Sequence, residues 1–305
     1  RLAPTATARS RRPAMVRAEH DPEADGGPPR MTPKELRQVC REHNGYNTPE
    51  LNDKLYLHYK GYLRVENLGP YTGCRALWLE GNGLTKLEGL ESLRELRCLY
   101  AHQNCLTAIE GLDNCERLAT LQVSNNFLKS LGNLHALSRL QTLQASHNQL
   151  RTADDIRALL HCPNLSVVDL QHNRIDDPRV VDVLAAMPQL SVVQLAGNPV
   201  VSLVPQYRRV LISRCKGLTY LDDRPVFPED RLATEAWAWA ERELGEGKGL
   251  EAEREERARQ RREREAQHRR NLEHMRELQD AARERAGARQ EAAGVAPSPA
   301  AATAD

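Results

Sequence analysis

The stretches LWLEGNGLTKLEGL (77–90) and LYAHQNCLTAIEGL (99–112) share one pattern of leucines around an asparagine, and they lie 22 residues apart. LQVSNNFLKSLGNL (121–134) repeats the pattern at the same spacing. After Asn148 the spacing becomes 25 residues. Upstream, LYLHYKGYLRVENL (55–68) fits the same frame with Lys60 in place of the asparagine. A fixed period of this length predicts a stack of structural repeats.

The consensus L-x-L-x-x-N-x-L is that of the leucine-rich repeat. Apolar residues alternate at period 2 around positions such as Leu77 and Leu79, which predicts a short strand with one buried face. A single repeat cannot bury that face alone, and stacking makes a continuous core. We therefore predict an α/β solenoid: a leucine-rich repeat horseshoe with short parallel strands, about seven repeats over 55–204, and a cap at each end.

The repeated asparagine stands where the chain turns inward, and its amide can bond buried backbone groups that would otherwise be unpaired. The sequence predicts a structural ladder of these side chains, and Lys60 marks an atypical first repeat. The ladder consists of Asn82, Asn104, Asn126, Asn148, Asn173 and Asn198.

The longer repeats predict true helices on the convex side, over 154–162 and 176–187. Asp177 is the expected N-cap of the second and Pro178 its first residue. The acid pairs 154–155 and 176–177 are therefore interpreted as helix caps and not as a catalytic dyad.

The N-terminal segments predict an extension and a cap. Residues 1–30 are basic without an apolar core, which favours a disordered extension over a transit peptide, and the chain beginning at Arg1 can be a fragment. Residues 31–54 form the expected helical cap, with Thr32 as N-cap, Pro33 as first helical residue and a helix to about Glu42.

The C-terminal segments change character after the repeats. Residues 205–227 predict a repeat cap, with a helix over 205–215, a last strand over 218–222, and Tyr207, Leu221 and Asp222 as its key residues. Asp222 and Asp223 are expected to bond the turn backbone. Residues 228–250 predict a short helix bearing two tryptophans. Residues 251–290 are rich in Arg and Glu and lack large apolar side chains from 251 to 271, which favours an isolated, solvated helix over a coiled coil. Leu272, Met275 and Leu278 permit a short coiled-coil seam. The tail 291–305 is disordered by composition.

The composition argues against several function classes. Lys and Arg number 43 against 42 Asp and Glu, giving net charge +1, so no global charge favours nucleic acid or membrane. No nucleotide-binding or catalytic motif occurs, and the seven cysteines form no C-x-x-C pair. We expect no enzyme, no metal and no cofactor.

The outward positions of the predicted strands supply the candidate binding surface. The first half of the concave face carries an aromatic stripe and the second half is polar, and Arg97 and Cys98 flank the stripe. Clustered Tyr and Trp are typical of binding hot spots. The alternative is that the N-terminal helix or tail folds over them. The predicted protein-binding residues are Tyr56, His58, Trp78, Glu80, Tyr100, His102, Gln122, Gln144 and Asp169.

Two segments carry a family resemblance that covers roughly 31–240. TPELNDKLYLHYKGYLRVENLGPYTGCRALWLEGNGL (48–84) and NPVVSLVPQYRRVLISRCKGLTYLDDRPVFPEDRLATEAWA (198–238) resemble the dynein axonemal assembly factor 1 family. The resemblance implies a monomeric, non-enzymatic scaffold for preassembly of axonemal dynein arms. Its implied partners are dynein subunits and co-chaperones, and its implied location is cytoplasmic with association to the cilium or flagellum. Two alternatives stay open: a structural axonemal component binding dynein or microtubules, and a phosphatase-regulatory leucine-rich repeat subunit.

Overall fold

The computed structural model describes residues 27–294, with side chains through residue 285. The expectations for 1–26 and 295–305 lie outside the described residues. The chain divides into two compact units at Val200 and Val201. Within 27–294, none of the helices combines the length and apolar character that crossing a bilayer requires.

The first unit begins with helix α1 (Pro33–Glu42). Thr32 Oγ1 accepts a hydrogen bond from Glu35 N at 3.2 Å, and Pro33 occupies the first turn, where its missing N–H costs nothing. Leu36, Val39 and Cys40 form the buried face. A 3₁₀ turn (Pro49–Leu51) leads to the first strand.

The core of the unit is a ladder of seven three-residue parallel strands. They pair in sequence order, each in the register that the repeat predicts, with Leu55 opposite Leu77 and Leu77 opposite Leu99. The central residue of every strand is buried and the two flanking residues are partly exposed, except that Lys54 of the first strand is exposed. The strands are β1 (Lys54–Tyr56), β2 (Ala76–Trp78), β3 (Cys98–Tyr100), β4 (Thr120–Gln122), β5 (Thr142–Gln144), β6 (Val167–Asp169) and β7 (Val192–Gln194).

The six repeated asparagines are buried and bridge neighbouring repeats. In Asn126, Oδ1 accepts from Leu106 N of the preceding repeat at 3.0 Å, while Nδ2 donates to Ala101 O and Val123 O, each at 3.0 Å. At the N-terminal end, Asn82 Oδ1 accepts from Lys60 N at 3.1 Å. Asn82 thus serves the repeat that has no asparagine of its own.

The residue before each asparagine adopts a left-handed backbone, which the sequence analysis did not predict. These residues include Gly81 with φ 67° and Gln103 with φ 55°. Tyr59, which precedes Lys60 in the repeat that lacks the asparagine, has φ 51°. The Tyr59 ring lies over Gly81, where an added Cβ would come within 2.1 Å of it, and the Tyr59 hydroxyl reaches Gln103 Oε1 at 2.9 Å. Glycine at position 81 therefore permits both the backbone and the ring placement.

The helices of the longer repeats are shorter than predicted. The stretch 154–162 forms one α-helical turn, α2 (Ala153–Ile156), and then a 3₁₀ segment (Arg157–His161), whose tighter winding suits a short connection. Asp155 Oδ2 accepts from Thr152 N at 2.7 Å, so this acid does bond the helix start.

The placement of Asp177 as N-cap of its own helix was wrong. That helix, α3 (Val180–Ala185), begins three residues later. Asp177 Oδ1 accepts from Arg179 N, which closes a turn, and Oδ2 accepts from Ala153 N at 3.0 Å in the preceding repeat. Asp177 therefore binds the start of α2, and the Arg179 guanidinium, 2.9 Å away, lowers the pKa of its carboxyl to about 2.

The second unit opens with a compact cap. After α4 (Val200–Leu203) come α5 (Tyr207–Arg214) and an antiparallel pair, β8 (Tyr220–Leu221) and β9 (Arg224–Pro225). The second strand of this pair was not predicted. Arg208 joins α5 to the pair by donating to Pro225 O at 2.7 Å.

The three predicted cap residues occupy different environments in this arrangement. Tyr207 starts α5, and burial together with the nearby Asp222 carboxylate raises the pKa of its phenol. Leu221 is buried. Asp222 takes φ 52° in the turn between the strands. The Asp223 carboxylate does not bond the turn as expected, since it is exposed and lies 3.8 Å from Arg224 Nε.

Two helices follow, α6 (Pro228–Glu243) and α7 (Gly249–Gly294). The prediction that the charged helix stands isolated was wrong, because its first turns contact α5 and α6 through polar groups. Glu253 is 5% exposed and accepts from Arg209 Nε at 2.6 Å and from Arg257 Nε at 3.0 Å. Gln260 Nε2 donates to Glu229 O. From 267 to 280 every α7 side chain is exposed, as expected of a solvated helix.

Candidate protein-binding surface

The aromatic stripe on the first three strands is a continuous stack of rings. Parallel pairing puts Tyr56, Trp78 and Tyr100 side by side, each the last residue of its strand. The Tyr56 and Trp78 ring centroids are 4.5 Å apart with 20° between planes, and those of Trp78 and Tyr100 are 5.2 Å apart with 15°. All three are half-buried, so the rings stabilise one another and keep an exposed edge.

The N-terminal helix adds one ring to the stack and leaves the rest open. His43, which follows α1, lies 4.6 Å from Tyr56 between ring centroids. A cavity of about 260 Å³ adjoins this end, lined in part by His43, Tyr46, Lys54 and Tyr56. Tyr46 is 60% exposed at its rim. The described part of the N-terminal segment thus extends the stripe without covering Trp78 or Tyr100. Sequence reasoning missed His43, because a contact between a helix end and a strand leaves no pattern along the chain.

The next column of the concave face holds His58, Glu80 and His102. His58 Nδ1 lies 3.9 Å from Glu80 Oε1, too far for a hydrogen bond. Burial lowers the pKa of His102, and the Glu80 charge opposes that effect. No group of His, Cys, Asp and Glu within 27–294 is arranged to hold a metal ion. The column is a polar border to the stripe.

The second half of the concave face is polar, and some of its side chains bond within the protein. Gln122, Gln144 and Asp169 continue the aromatic row in register. Asp169 Oδ1 accepts from Gln171 N at 2.9 Å, and Ser146 Oγ donates to Ser124 Oγ at 3.0 Å. The aromatic and polar halves therefore differ in their capacity to bury apolar surface against a partner.

Three arginines near the N-terminal ends of the strands form a cluster that was not predicted from the sequence. Arg97, Arg117 and Arg139 line a cavity of about 370 Å³, together with Ala119, Gln141 and Asn164. Arg117 pairs with Glu95. Arg117 and Arg139 occupy the same position in successive repeats, so writing the repeats in columns would have revealed the pair.

Comparison with known proteins agrees with this fold. Residues 112–243 match the family model described as leucine-rich repeat. A leucine-rich repeat protein of Leptospira interrogans superposes with a TM-score of 0.52 at 21% identity, covering 68% of this chain and 50% of that one. The chain is a leucine-rich repeat protein, as predicted.

The sequence relatives are more specific. Over 210 residues, 69% of the chain, it is 69% identical to human dynein axonemal assembly factor 1. It is 68% identical over 218 residues, 72% of the chain, to the mouse protein of that name. It is 58% identical over 210 residues, 68% of the chain, to the homolog in Drosophila erecta. The resemblance to the dynein axonemal assembly factor 1 family is confirmed over this region.

The relatives are much longer than the matched region. The match covers 29% of the human protein, 34% of the mouse protein and 14% of the fly protein. The chain therefore spans about a third or less of the length of these curated relatives.

Proposed function

We propose that this chain is a non-enzymatic, protein-binding scaffold in the cytoplasmic preassembly of axonemal dynein arms, and hence serves cilium assembly and motility. The 69% identity to a protein named dynein axonemal assembly factor 1 carries this proposal. The expected partners are axonemal dynein subunits and co-chaperones, bound by a monomer in the cytoplasm, with association to the cilium. No nucleic acid, membrane, metal or cofactor is required.

The aromatic half of the concave surface is the proposed contact. Trp and Tyr bury large apolar area with few rotatable bonds, and they are enriched in hot spots for that reason. The stacked rings are already ordered, so their side chains lose little conformational entropy when a partner binds. The centre of the proposed contact consists of His43, Tyr56, Trp78 and Tyr100. A polar border is formed by His58, Glu80 and His102. The half of the surface that is expected to bind more weakly contains Gln122, Gln144 and Asp169.

A co-purification from ciliating cells tests the proposal. The full chain should recover dynein heavy or intermediate chains together with chaperones, and the double change Trp78→Ala, Tyr100→Ala should reduce that recovery at least tenfold. The matched control is Phe127→Ala, Trp239→Ala, which removes two aromatic side chains, 50% and 52% exposed, outside the stripe. Thermal unfolding of both variants checks that each is folded.

The alternatives give different results. Stoichiometric recovery of a phosphatase catalytic subunit would indicate a phosphatase regulator and refute the assembly role. Retention in isolated axonemes at high salt would favour a structural component. Equal recovery by the stripe variant and its control would refute the concave contact and leave the assembly role standing.

A further inference from the structure

We infer that the arginine cavity beside strands β3 to β5, lined by Arg97, Arg117 and Arg139, binds an acidic segment of the protein partner. The inference rests on the proposed function and deepens it by naming a chemistry of the partner. Its starting point is a surplus of cationic groups around one concavity of about 370 Å³.

The charges of the cavity are incompletely paired. Glu95 pairs with Arg117. Within residues 27–294, the guanidinium groups of Arg97 and Arg139 have no carboxylate within ion-pair distance, and both side chains are exposed. Guanidinium groups bind carboxylates through two parallel hydrogen bonds, which gives both strength and geometry. Arg97 and Arg139 are thus the groups free to receive an acid from outside.

One other lining group suits a peptide carboxylate. The Gln141 side chain is exposed at the rim, where its amide can donate, whereas the Nδ2 of Asn164 already donates to Ser138 O at 2.7 Å. Arg117 and Arg139 stand one repeat apart, and adjacent strands are about 4.8 Å apart. An extended segment crossing the strands can therefore meet successive cationic groups.

The cavity lies close to the aromatic stripe. Arg97 directly precedes β3 and stands three residues before Tyr100, which corresponds to about 10 Å at the usual rise of an extended chain. Between them lies only the first strand column, with the small side chains of Cys98, Thr120 and Thr142. A partner that seats an apolar side chain on Trp78 and Tyr100 can place an acidic side chain in the cavity with the same short segment.

A protein segment fits this surface better than a nucleic acid. Aromatic side chains bind single strands by stacking on bases. The rings here are stacked on each other at 4.5 Å and 5.2 Å, so the faces that they turn toward one another are closed to a base. The net charge of +1 supplies no extended phosphate-binding track.

A binding assay with a defined probe tests the inference. The full chain is titrated into fluorescently labelled octaglutamate at low ionic strength, with octaglutamine as the uncharged control peptide. We expect octaglutamate to bind, and the Arg97→Ala, Arg139→Ala double variant to bind at least tenfold more weakly. Arg117 is left intact because its pairing with Glu95 gives it a structural role. The matched control, Lys129→Ala, Arg174→Ala, removes two exposed positive charges elsewhere and should bind within about twofold of the parent.

Three results would overturn the inference. They are absence of octaglutamate binding by the parent, equal weakening by the two double variants, and tighter binding of single-stranded DNA or inorganic phosphate through the same arginines. The inference and the proposed function fail separately. If dynein recovery persists in the arginine variant and falls in the stripe variant, only the acidic-segment inference is wrong.

Discussion

The asparagine ladder should stabilise its N-terminal end more than its middle. Asn126 and Asn82 occupy equivalent positions and are both buried, at 5% and 9% exposure. What differs is the number of backbone groups that each leaves unpaired when replaced by alanine. Comparing the two substitutions shows whether the cost depends on the number of backbone groups left unpaired or is the same for every asparagine of the ladder.

In the middle of the ladder most partners of the asparagine have a second donor. When Asn126 is removed, Ala101 O still accepts from Asn104 Nδ2 and Val123 O from Asn148 Nδ2. Only Leu106 N–H then lacks an acceptor within the described residues. An unpaired buried group costs about 1–3 kcal/mol, so Asn126→Ala should cost about 2 kcal/mol.

At the N-terminal end the same change leaves more groups unpaired. Lys60 cannot supply the missing amide of its repeat, so Asn82 Nδ2 is the sole donor to Leu57 O within the described residues, at 2.9 Å. Lys60 N–H likewise has only Asn82 Oδ1. Asn82 Oδ1 also accepts from Tyr62 N at 3.1 Å, so Asn82→Ala removes hydrogen bonds to three backbone groups, whereas Asn126→Ala leaves one group unpaired. The predicted cost for Asn82→Ala is therefore at least about 4 kcal/mol.

Urea unfolding followed by Trp78 fluorescence measures both costs. Replacing Trp237 and Trp239 by phenylalanine makes Trp78 the sole tryptophan, so the signal reports on the repeat unit. Asn114→Ala is the control, because that side chain donates at an exposed site and its loss should cost under about 0.5 kcal/mol. If Asn82→Ala destabilises the protein no more than Asn126→Ala does, the cost does not follow the number of backbone groups left unpaired, and the reasoning is wrong.

Three further predictions use the same urea assay. Gly111→Ala should destabilise the protein more than Gly81→Ala, although both sites have positive φ. The new Cβ at position 111 would lie 1.9 Å from the backbone oxygen of Leu87, whereas the one at position 81 would meet the Tyr59 ring, which can move. Equal costs would contradict this prediction. The folded-state pKa of Asp177, about 2, lies below its unfolded value near 4. The carboxylate therefore stabilises the fold above pH 4 and loses that contribution as the pH falls from about 4 to 2. Asp177→Asn should make the free energy of unfolding less dependent on pH in that window. Glu253→Ala should destabilise the contact of α7 with α5 by about 2–4 kcal/mol, read in a Trp78→Phe, Trp239→Phe background that keeps Trp237 as the sole tryptophan, while the exposed Glu255→Ala should change it by under about 0.5 kcal/mol.

The repeat register could be predicted from the sequence because each inward position has one physical requirement. Leucine or valine fills the core and asparagine bonds the inward turn, so the spacing of the asparagines assigns every strand residue to a face. Helix α1 was equally predictable, since Thr32 and Pro33 are local signals that depend on no distant residue.

The contacts that sequence reasoning missed are those between positions with no shared period. Helix α7 bonds α6 through Arg257 and Gln260, and it bonds α5 through Glu253. These contacts are polar, and a search for apolar seams cannot detect such packing. The bond from Asp177 to Ala153 was missed for a related reason, because the capping rules describe an acid at the start of its own helix and not at the start of the helix one repeat earlier.

The fold does not need the aromatic stripe, and this supports the proposal that the stripe contacts a partner. The core and the ladder fix the inward columns and leave the outward columns free to vary, as the change from Trp78 and Tyr100 to Gln122 and Gln144 in the same register demonstrates. Partly exposed aromatic area costs solubility without adding to the core, and it becomes favourable when a partner covers it. Arg97 and Arg139 add to this surface two cationic groups that the fold leaves unpaired within the described residues. A partner with one apolar anchor and one acidic segment about 10 Å away satisfies both, and a partner lacking either would leave half of the surface without a contact.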